Sequence, residues 1–161
     1  MKSLRDICVI VAIIIGAVLL FYGSQPFGPA SGHYLSGQTA PGFVLPNLAN
    51  EKVDFDKLRQ GKKVMLFFWA TWCPHCRDHM VELPKILKRL AKDNIELVLI
   101  NSGESSERVK QYFAQTGITM DTLMDYDSSV SRQYQASGLP WFVLIDEKGI
   151  ITGADFGISE L

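Results

Sequence analysis

The sequence has few cysteines and no surplus of charge of either sign. Only three of its 161 residues are cysteines, which excludes a small scaffold stapled by many disulfides and a four-thiolate metal site. Its 16 basic and 17 acidic side chains nearly balance, so the composition gives no indication of a nucleic-acid partner. With 47% apolar and 20% charged residues, the chain is neither disordered nor a polytopic membrane protein.

Charge is also absent from residues 7–22 (ICVIVAIIIGAVLLFY), close to the N-terminus. This run is long for the core of a signal peptide and somewhat shorter than the roughly 20 residues of a spanning helix. Because no Ala-x-Ala cleavage site follows closely, we predict an uncleaved signal-anchor over residues 1–23 rather than a cleaved signal peptide. Lys2 and Arg5 precede the run and should keep the N-terminus cytoplasmic. We therefore expect a single pass through the bacterial cytoplasmic membrane, with the soluble domain facing the periplasm or the cell exterior.

The rest of the chain is predicted to form a linker and one soluble domain. Residues 24–39 are rich in Gly, Pro, Ser and Gln, which is typical of a flexible linker. Within the domain, residues 40–161, continuous apolar runs at 63–69 and 95–101 predict buried strands, and a hairpin is predicted over 141–156. Strands that alternate with helices and end in a hairpin predict an α/β fold with a mixed central sheet.

Helical periodicity lies between and after the two buried strands. One helix is predicted from about Cys73 to Lys92, with a kink at Pro84. Two shorter helices are predicted over 105–116 and 128–134. The buried stripe of the first helix is expected to comprise Met80, Leu83, Leu87 and Leu90.

The motif Trp72-Cys73-Pro74-His75-Cys76 follows the first buried strand and opens this helix. A structural disulfide that closes so short a loop would contribute only about 2 kcal/mol. A metal site built from Cys73, Cys76 and His79 would lack a fourth ligand, so we expect no metal. A redox pair is the third interpretation, and it is the one that the motif favours.

The position of the pair suits thiol chemistry. Free N–H groups and the macrodipole at a helix N-terminus stabilise a thiolate, and Pro74 suits the first helical position because it has no N–H to satisfy. We therefore predict that Cys73 is an exposed nucleophile of low pKa and that Cys76 resolves the mixed disulfide. His75 is expected to lie close to the Cys73 thiolate and to lower its pKa further. No cofactor is expected.

The stretch FFWATWCPHC resembles the thioredoxin superfamily. The wider pattern is similar to its membrane-anchored TlpA/ResA/CcmG branch, which is related to the AhpC/TSA and redoxin proteins. Residues 40–46, 99–105 and 138–146 resemble that branch's opening strand, its strand–helix insert and its cis-proline segment. The resemblance implies a thioredoxin-like fold with Pro140 in the cis form beside the cysteine pair. It also implies that the backbone of Leu139 pairs with an extended substrate segment, and we expect Trp72 to form an apolar rim around the sulfurs.

The chain departs from the family pattern at three places. Phe67 stands where thioredoxins have a buried Asp, and His79 stands where the anchored reductases have a Glu. We hypothesise that His79 replaces this Glu as the proton acceptor for Cys76. Ser159 and Glu160 would begin the family's closing helix, so we expect that C-terminal helix to be missing.

These observations predict a membrane-tethered extracytoplasmic thiol–disulfide oxidoreductase. The resemblance favours a protein-disulfide reductase, for example in cytochrome c maturation. Its expected partners are a protein thiol or disulfide substrate, a membrane electron donor or an acceptor thiol protein, and the lipid bilayer through residues 7–23. Two alternatives stay open. One is a disulfide-forming oxidase or isomerase, because the Pro-His dipeptide matches the oxidase DsbA. The other is a non-catalytic copper-delivery or assembly factor.

Overall fold

The structure of the protein, a computed structural model, describes residues 35–158. Within this part, the strands are β1 Val44–Pro46, β2 Lys52–Asp54, β3 Lys63–Trp69, β4 Ile95–Ser102, β5 Leu123–Asp125, β6 Trp141–Ile145 and β7 Ile151–Asp155. The helices are α1 Phe55–Leu58, α2 Pro74–Val81, α3 Leu83–Lys92, α4 Ser106–Thr116 and α5 Ser129–Gln133. β1 and β2 form a small antiparallel hairpin of their own.

The larger sheet has five strands in the order β5-β4-β3-β6-β7. The central strand β3 runs parallel to β4 and antiparallel to β6, which confirms the predicted mixed sheet. The sequence did not predict the edge strand β5, because three residues are too few to show a hydrophobic period. The ends of β3 and β4 and the start of β6 meet at one edge, where Trp69 is in register with Asn101 and Phe68 with Trp141.

The continuous apolar run in β3 is explained by core on both faces of the sheet. Every residue from Val64 to Trp69 is at most 2% exposed. Because side chains alternate along a strand, Leu66 and Phe68 enter one core layer, which α5 and the β1–β2 hairpin help to cover. Phe67 and Trp69 enter the other, which residues of α2, α3 and α4 cover. We call this second core layer the redox layer, because it also contains both cysteines of the motif.

The prediction of a single kinked helix from Cys73 to Lys92 is wrong. The structure has two helices, α2 and α3, which are separated at Glu82. The break occurs two residues before Pro84, which becomes the second residue of α3, where a missing N–H leaves nothing unsatisfied. The restart also shifts the buried face, so that Ile86 is buried and Leu87 only half-buried.

The prediction for α4 is confirmed at both ends. Ser105 is the N-cap, and its hydroxyl accepts a hydrogen bond from the Arg108 N–H at 3.3 Å. Gly117 ends the helix in the left-handed conformation, with φ of 71°, which glycine adopts without strain. Val109 and Phe113 are buried in the redox layer, and Tyr112 is partly buried against it.

The folded domain includes the last residues of the predicted linker. Leu35 is 3% exposed. The Gly37 N–H donates to the Ile151 carbonyl at 2.8 Å, and the Ile151 N–H donates to the Gln38 carbonyl at 2.9 Å. These contacts place residues 35–39 beside β7 rather than in the linker, because their backbone groups extend the pairing of that strand.

Parts of the predicted architecture lie outside the described residues. The predicted signal-anchor over 1–23 and residues 159–161, where the family's closing helix would begin, both fall there. Between residues 35 and 158, no helix combines the length and the apolar character that crossing a bilayer requires.

Candidate active site

The two cysteines of the motif form a disulfide at the edge of the sheet where β3 ends. Their Cα atoms lie 5.2 Å apart. Cys73 is the N-cap of α2, in an extended conformation, and its sulfur accepts a hydrogen bond from the Cys76 N–H at 3.1 Å. A helix N-terminus leaves such N–H groups without partners inside the helix. The Cys73 sulfur thus occupies the position at which backbone N–H groups and the helix dipole stabilise negative charge.

The prediction that Cys73 is exposed is wrong for the disulfide form. Cys73 is 2% exposed and Cys76 has no exposed surface. Both sulfurs belong to the redox layer, against which Leu139 also packs, so the pair forms part of the core instead of lying on a surface loop. Cys73 remains the outer residue of the pair, since it precedes the helix and Cys76 lies within it.

Pro74 and His75 occupy the first turn of α2. Pro74 is the first residue of the helix, as predicted. The His75 side chain is 83% exposed, and its Nδ1 lies 3.8 Å from Asp78 Oδ2. In the described residues, no hydrogen bond joins His75 to Cys73. In the disulfide form, the imidazole is turned outward toward a carboxylate one helical turn along, and the expected effect of His75 on the Cys73 thiolate stays a prediction.

Two apolar residues flank the pair. Trp72 is 63% exposed, which agrees with the rim predicted for it, whereas Trp69 is fully buried. The Leu139–Pro140 peptide bond is cis, as the family resemblance implies. Leu139 is partly buried and packs against both core layers. Because β6 begins at Trp141 and runs antiparallel to β3, this loop lies at the same edge of the sheet as the motif.

His79 lies on α2, one turn after Cys76, and its ring is turned toward the sheet. The imidazole is 5.1 Å from the Phe142 ring and 6.0 Å from the Phe67 ring, edge-on to both. Phe67 is fully buried where thioredoxins have their Asp. The ring of Phe67 therefore occupies the position of the thioredoxin Asp. It packs on His79, which occupies the position of the Glu of the anchored reductases.

Burial changes the protonation of this histidine. Partial burial against the sheet lowers the pKa of His79 below its usual value, and the nearby carboxylates of Glu82 and Asp78 offset this effect only in part. The imidazole of His75 acts in the same direction as burial. His79 is thus neutral at neutral pH, the form that can accept a proton.

Sequence reasoning missed one residue that reaches the active-site loop. The buried carboxylate of Glu104 accepts hydrogen bonds from the backbone and the hydroxyl of Thr71, two residues before Cys73. The sequence showed only a lone Glu after an apolar strand, and no local pattern signals a partner 33 residues away. Within residues 35–158, no cluster of three or more His, Cys, Asp or Glu side chains could hold a metal ion.

Comparisons with known proteins agree with this geometry. The chain matches the AhpC/TSA family over residues 36–154. It is 38% identical over 124 residues to the thioredoxin-like protein YneN of Bacillus subtilis, and the aligned segment covers 75% of this chain and 71% of YneN. It is 31% identical over 121 residues to the thiol-disulfide oxidoreductase ResA of the same organism, and the aligned segment covers 73% of this chain and 67% of ResA.

A solved structure is also similar. A thiol-disulfide oxidoreductase from Bacteroides fragilis superposes with a TM-score of 0.67 at 26% identity, over 77% of this chain and 94% of that one. The family match spans the sheet, the cysteine pair and the cis-proline loop, so it is not confined to a short motif. The chain belongs to the AhpC/TSA family, as a thioredoxin-like thiol–disulfide oxidoreductase.

Proposed function

We propose that this oxidoreductase reduces protein disulfides at the outer face of a bacterial cytoplasmic membrane, to which its N-terminal segment tethers it. The observation that carries the redox chemistry is the hydrogen bond from the Cys76 N–H to the Cys73 sulfur at the N-terminus of α2. In the reduced protein, the same N–H favours the thiolate of Cys73 over its thiol.

The reaction transfers two electrons from the cysteine pair to the substrate. The Cys73 thiolate attacks one sulfur of a substrate disulfide, forms a mixed disulfide and releases the other substrate sulfur as a thiolate. Cys76 then loses its proton and attacks the Cys73 sulfur. The second substrate thiol leaves, and the Cys73–Cys76 disulfide forms. A thiol protein that draws electrons from the membrane returns the pair to the dithiol.

Recognition of the substrate is assigned to the residues around the sulfurs. Trp72 offers an exposed apolar surface next to Cys73. The backbone of Leu139, directly before the cis Pro140, is proposed to pair with an extended segment of the substrate, as a strand is added to a sheet edge. Backbone pairing carries little sequence preference, so this arrangement suits unfolded or extended protein substrates.

His79 is proposed to accept the proton that Cys76 loses. The two residues lie three positions apart on α2, which places them on one helix face. The carboxylates at the two family positions are absent, and His79 is held neutral by burial against Phe67 and Phe142. A neutral imidazole beside the resolving thiol can act as its general base.

Replacement of His79 by alanine should slow the second step and spare the first. Resolution of the mixed disulfide at neutral pH is expected to fall by about 100-fold, the lower end of a general-base contribution. The parent protein should lose the same contribution as the pH falls through the lowered pKa of His79, because a protonated imidazole accepts no proton. Stopped-flow measurement of both steps with a disulfide-containing peptide, between about pH 5 and pH 8, checks this.

The matched control for this variant is Val81→Ala. Val81 lies on the same helix with a side chain that is 79% exposed, so its truncation should leave both steps unchanged. Equal resolution rates in His79→Ala and in the parent would show that water, not His79, takes the proton.

A disulfide-forming oxidase is the second candidate, and the Pro74-His75 dipeptide favours it because it matches DsbA. The two functions differ in reduction potential, which is about −270 mV for thioredoxin and about −120 mV for DsbA.

We expect a potential somewhat above that of thioredoxin, and a Cys73 thiol that titrates below the free value of about 8.5. His75→Ala should raise this thiol pKa and lower the potential, since it removes the imidazole from the first turn of α2. Equilibration with a glutathione redox buffer measures the potential. A value near that of DsbA would contradict the reductase, and an unchanged value in His75→Ala would contradict a role for the imidazole.

The membrane tether and the process in which the protein acts are proposed from the N-terminal sequence and the family resemblance. They are supported by the uncharged run over residues 7–22 and by the resemblance to the TlpA/ResA/CcmG branch, which suggests cytochrome c maturation. The full chain should fractionate with membranes, and a protease added from outside should release the folded domain by cleaving in the predicted linker before residue 35, since a tethered domain is accessible from that side. Recovery of a mature, non-membrane form that lacks the first 30 or so residues would contradict the anchor.

A further inference from the structure

The loop that carries Cys73 is held by a buried carboxylate from a distant part of the chain. Glu104 lies between β4 and α4, and its side chain is only 3% exposed. Its Oε2 accepts a hydrogen bond from the Thr71 backbone N–H at 2.6 Å, and its Oε1 accepts one from the Thr71 hydroxyl at 2.6 Å. Both carboxylate oxygens therefore engage a single residue of the loop between β3 and α2.

Further contacts fix the carboxylate itself. Oε2 also accepts from Asn101 Nδ2 at 2.8 Å, and Asn101 is fully buried in register with Trp69, the last residue of β3. Arg108 Nε lies 3.7 Å from Oε1, on a side chain that is 67% exposed. A buried carboxylate is costly unless hydrogen bonds satisfy it, and hydrogen bonds to an ionised group are about twice as strong as neutral ones. Glu104 thus joins the ends of two neighbouring strands to the active-site loop.

The loop leads directly to the nucleophile. Thr71 precedes Cys73 by two residues, and the Cys73 N–H donates to the Ala70 carbonyl at 3.2 Å. The Cys73 sulfur in turn accepts from the Cys76 N–H. The stabilisation that a helix N-terminus gives to a thiolate falls off within the first turn, so it depends on where the loop places that sulfur.

We propose that Glu104 is a positioning residue for Cys73. Through Thr71 it holds the loop so that the sulfur stays at the N-terminus of α2, in both the disulfide and the dithiol. The proposal rests on the redox role of Cys73 given above. The effect is one of position and not of charge, because a carboxylate close to Cys73 would by its charge alone disfavour the thiolate.

Two substitutions separate position from charge. In Glu104→Gln, the amide oxygen can take the place of Oε2 and accept from Thr71 and Asn101, while the amide N–H donates to the Thr71 hydroxyl, which also accepts. This variant keeps the three hydrogen bonds without the negative charge. Glu104→Ala removes both the hydrogen bonds and the charge.

The measurement is the rate at which iodoacetamide alkylates Cys73 in the reduced full-length protein, followed across pH with the adduct located by mass spectrometry. We expect Glu104→Ala to raise the apparent pKa of the Cys73 thiol and to slow its alkylation by about tenfold at a pH well below the thiol pKa of the parent, where one pKa unit corresponds to a tenfold change in the thiolate. Glu104→Gln should stay within about twofold of the parent, a difference typical of a change that disturbs no packing. The assay needs no protein substrate, so its outcome is independent of whether the protein is a reductase or an oxidase.

A control and a milder variant keep the test decisive. Asp146 accepts from the Lys148 and Ile150 N–H groups in the turn between β6 and β7, at the opposite end of the sheet. Asp146→Ala should therefore leave Cys73 alkylation unchanged. If Glu104→Ala does not fold, Thr71→Val removes only the hydroxyl contact and should still raise the thiol pKa. The proposal is overturned if Glu104→Gln changes the thiol pKa as much as Glu104→Ala does, or if Thr71→Val behaves like the parent.

Discussion

The hydrogen bond from the Cys76 N–H to the Cys73 sulfur is the interaction on which the chemistry of this protein depends. It exists because the chain leaves β3, makes a short loop and enters α2 with Cys73 at the N-cap. The N-cap position leaves Cys73 outside the helix but next to its free N–H groups. In the proposed mechanism, the Cys73 sulfur is therefore the better thiolate, and Cys76, a turn further along, resolves the mixed disulfide.

The rest of the fold serves to hold this arrangement in place. The central position of β3 fixes where the loop begins, because both of its faces are covered by core. The cis Leu139–Pro140 bond brings a second loop to the same sheet edge. Glu104 ties the first loop to the end of β4. The cysteines lie within the redox layer, so core packing shields their sulfurs in the disulfide form.

The histidine and the aromatic ring that packs on it underlie the route proposed for proton transfer. A phenylalanine in place of the thioredoxin carboxylate makes the surroundings of His79 more apolar. That burial lowers the pKa of His79 and keeps the imidazole neutral. The two departures from the family pattern are thus physically coupled, since the ring of Phe67 packs on the imidazole that would take over the role of the missing carboxylate.

Local signals in the sequence predicted much of this structure. The uninterrupted apolar runs predicted β3 and β4, and helical periodicity over 105–116 predicted α4. The family resemblance supplied the cis bond at Pro140. The sequence could not predict the break at Glu82, because a proline at the second position of a new helix and a proline that kinks a longer one have the same spacing. The burial of Cys73, the outward turn of His75 and the contact between Glu104 and Thr71 depend on tertiary packing, which no local pattern encodes.

The most direct test of the central claim, that Cys73 is the exchanging sulfur, is to trap its mixed disulfide. The full-length Cys76→Ser and Cys73→Ser variants are each reduced and mixed with insulin as a disulfide probe, and adducts are located by mass spectrometry. The expected result is a persistent adduct on Cys73 in Cys76→Ser and none on Cys76 in Cys73→Ser, because Cys76 has no exposed surface. Equal adduct yields on the two cysteines would contradict the assignment of the nucleophile, and so would the absence of an adduct on Cys73.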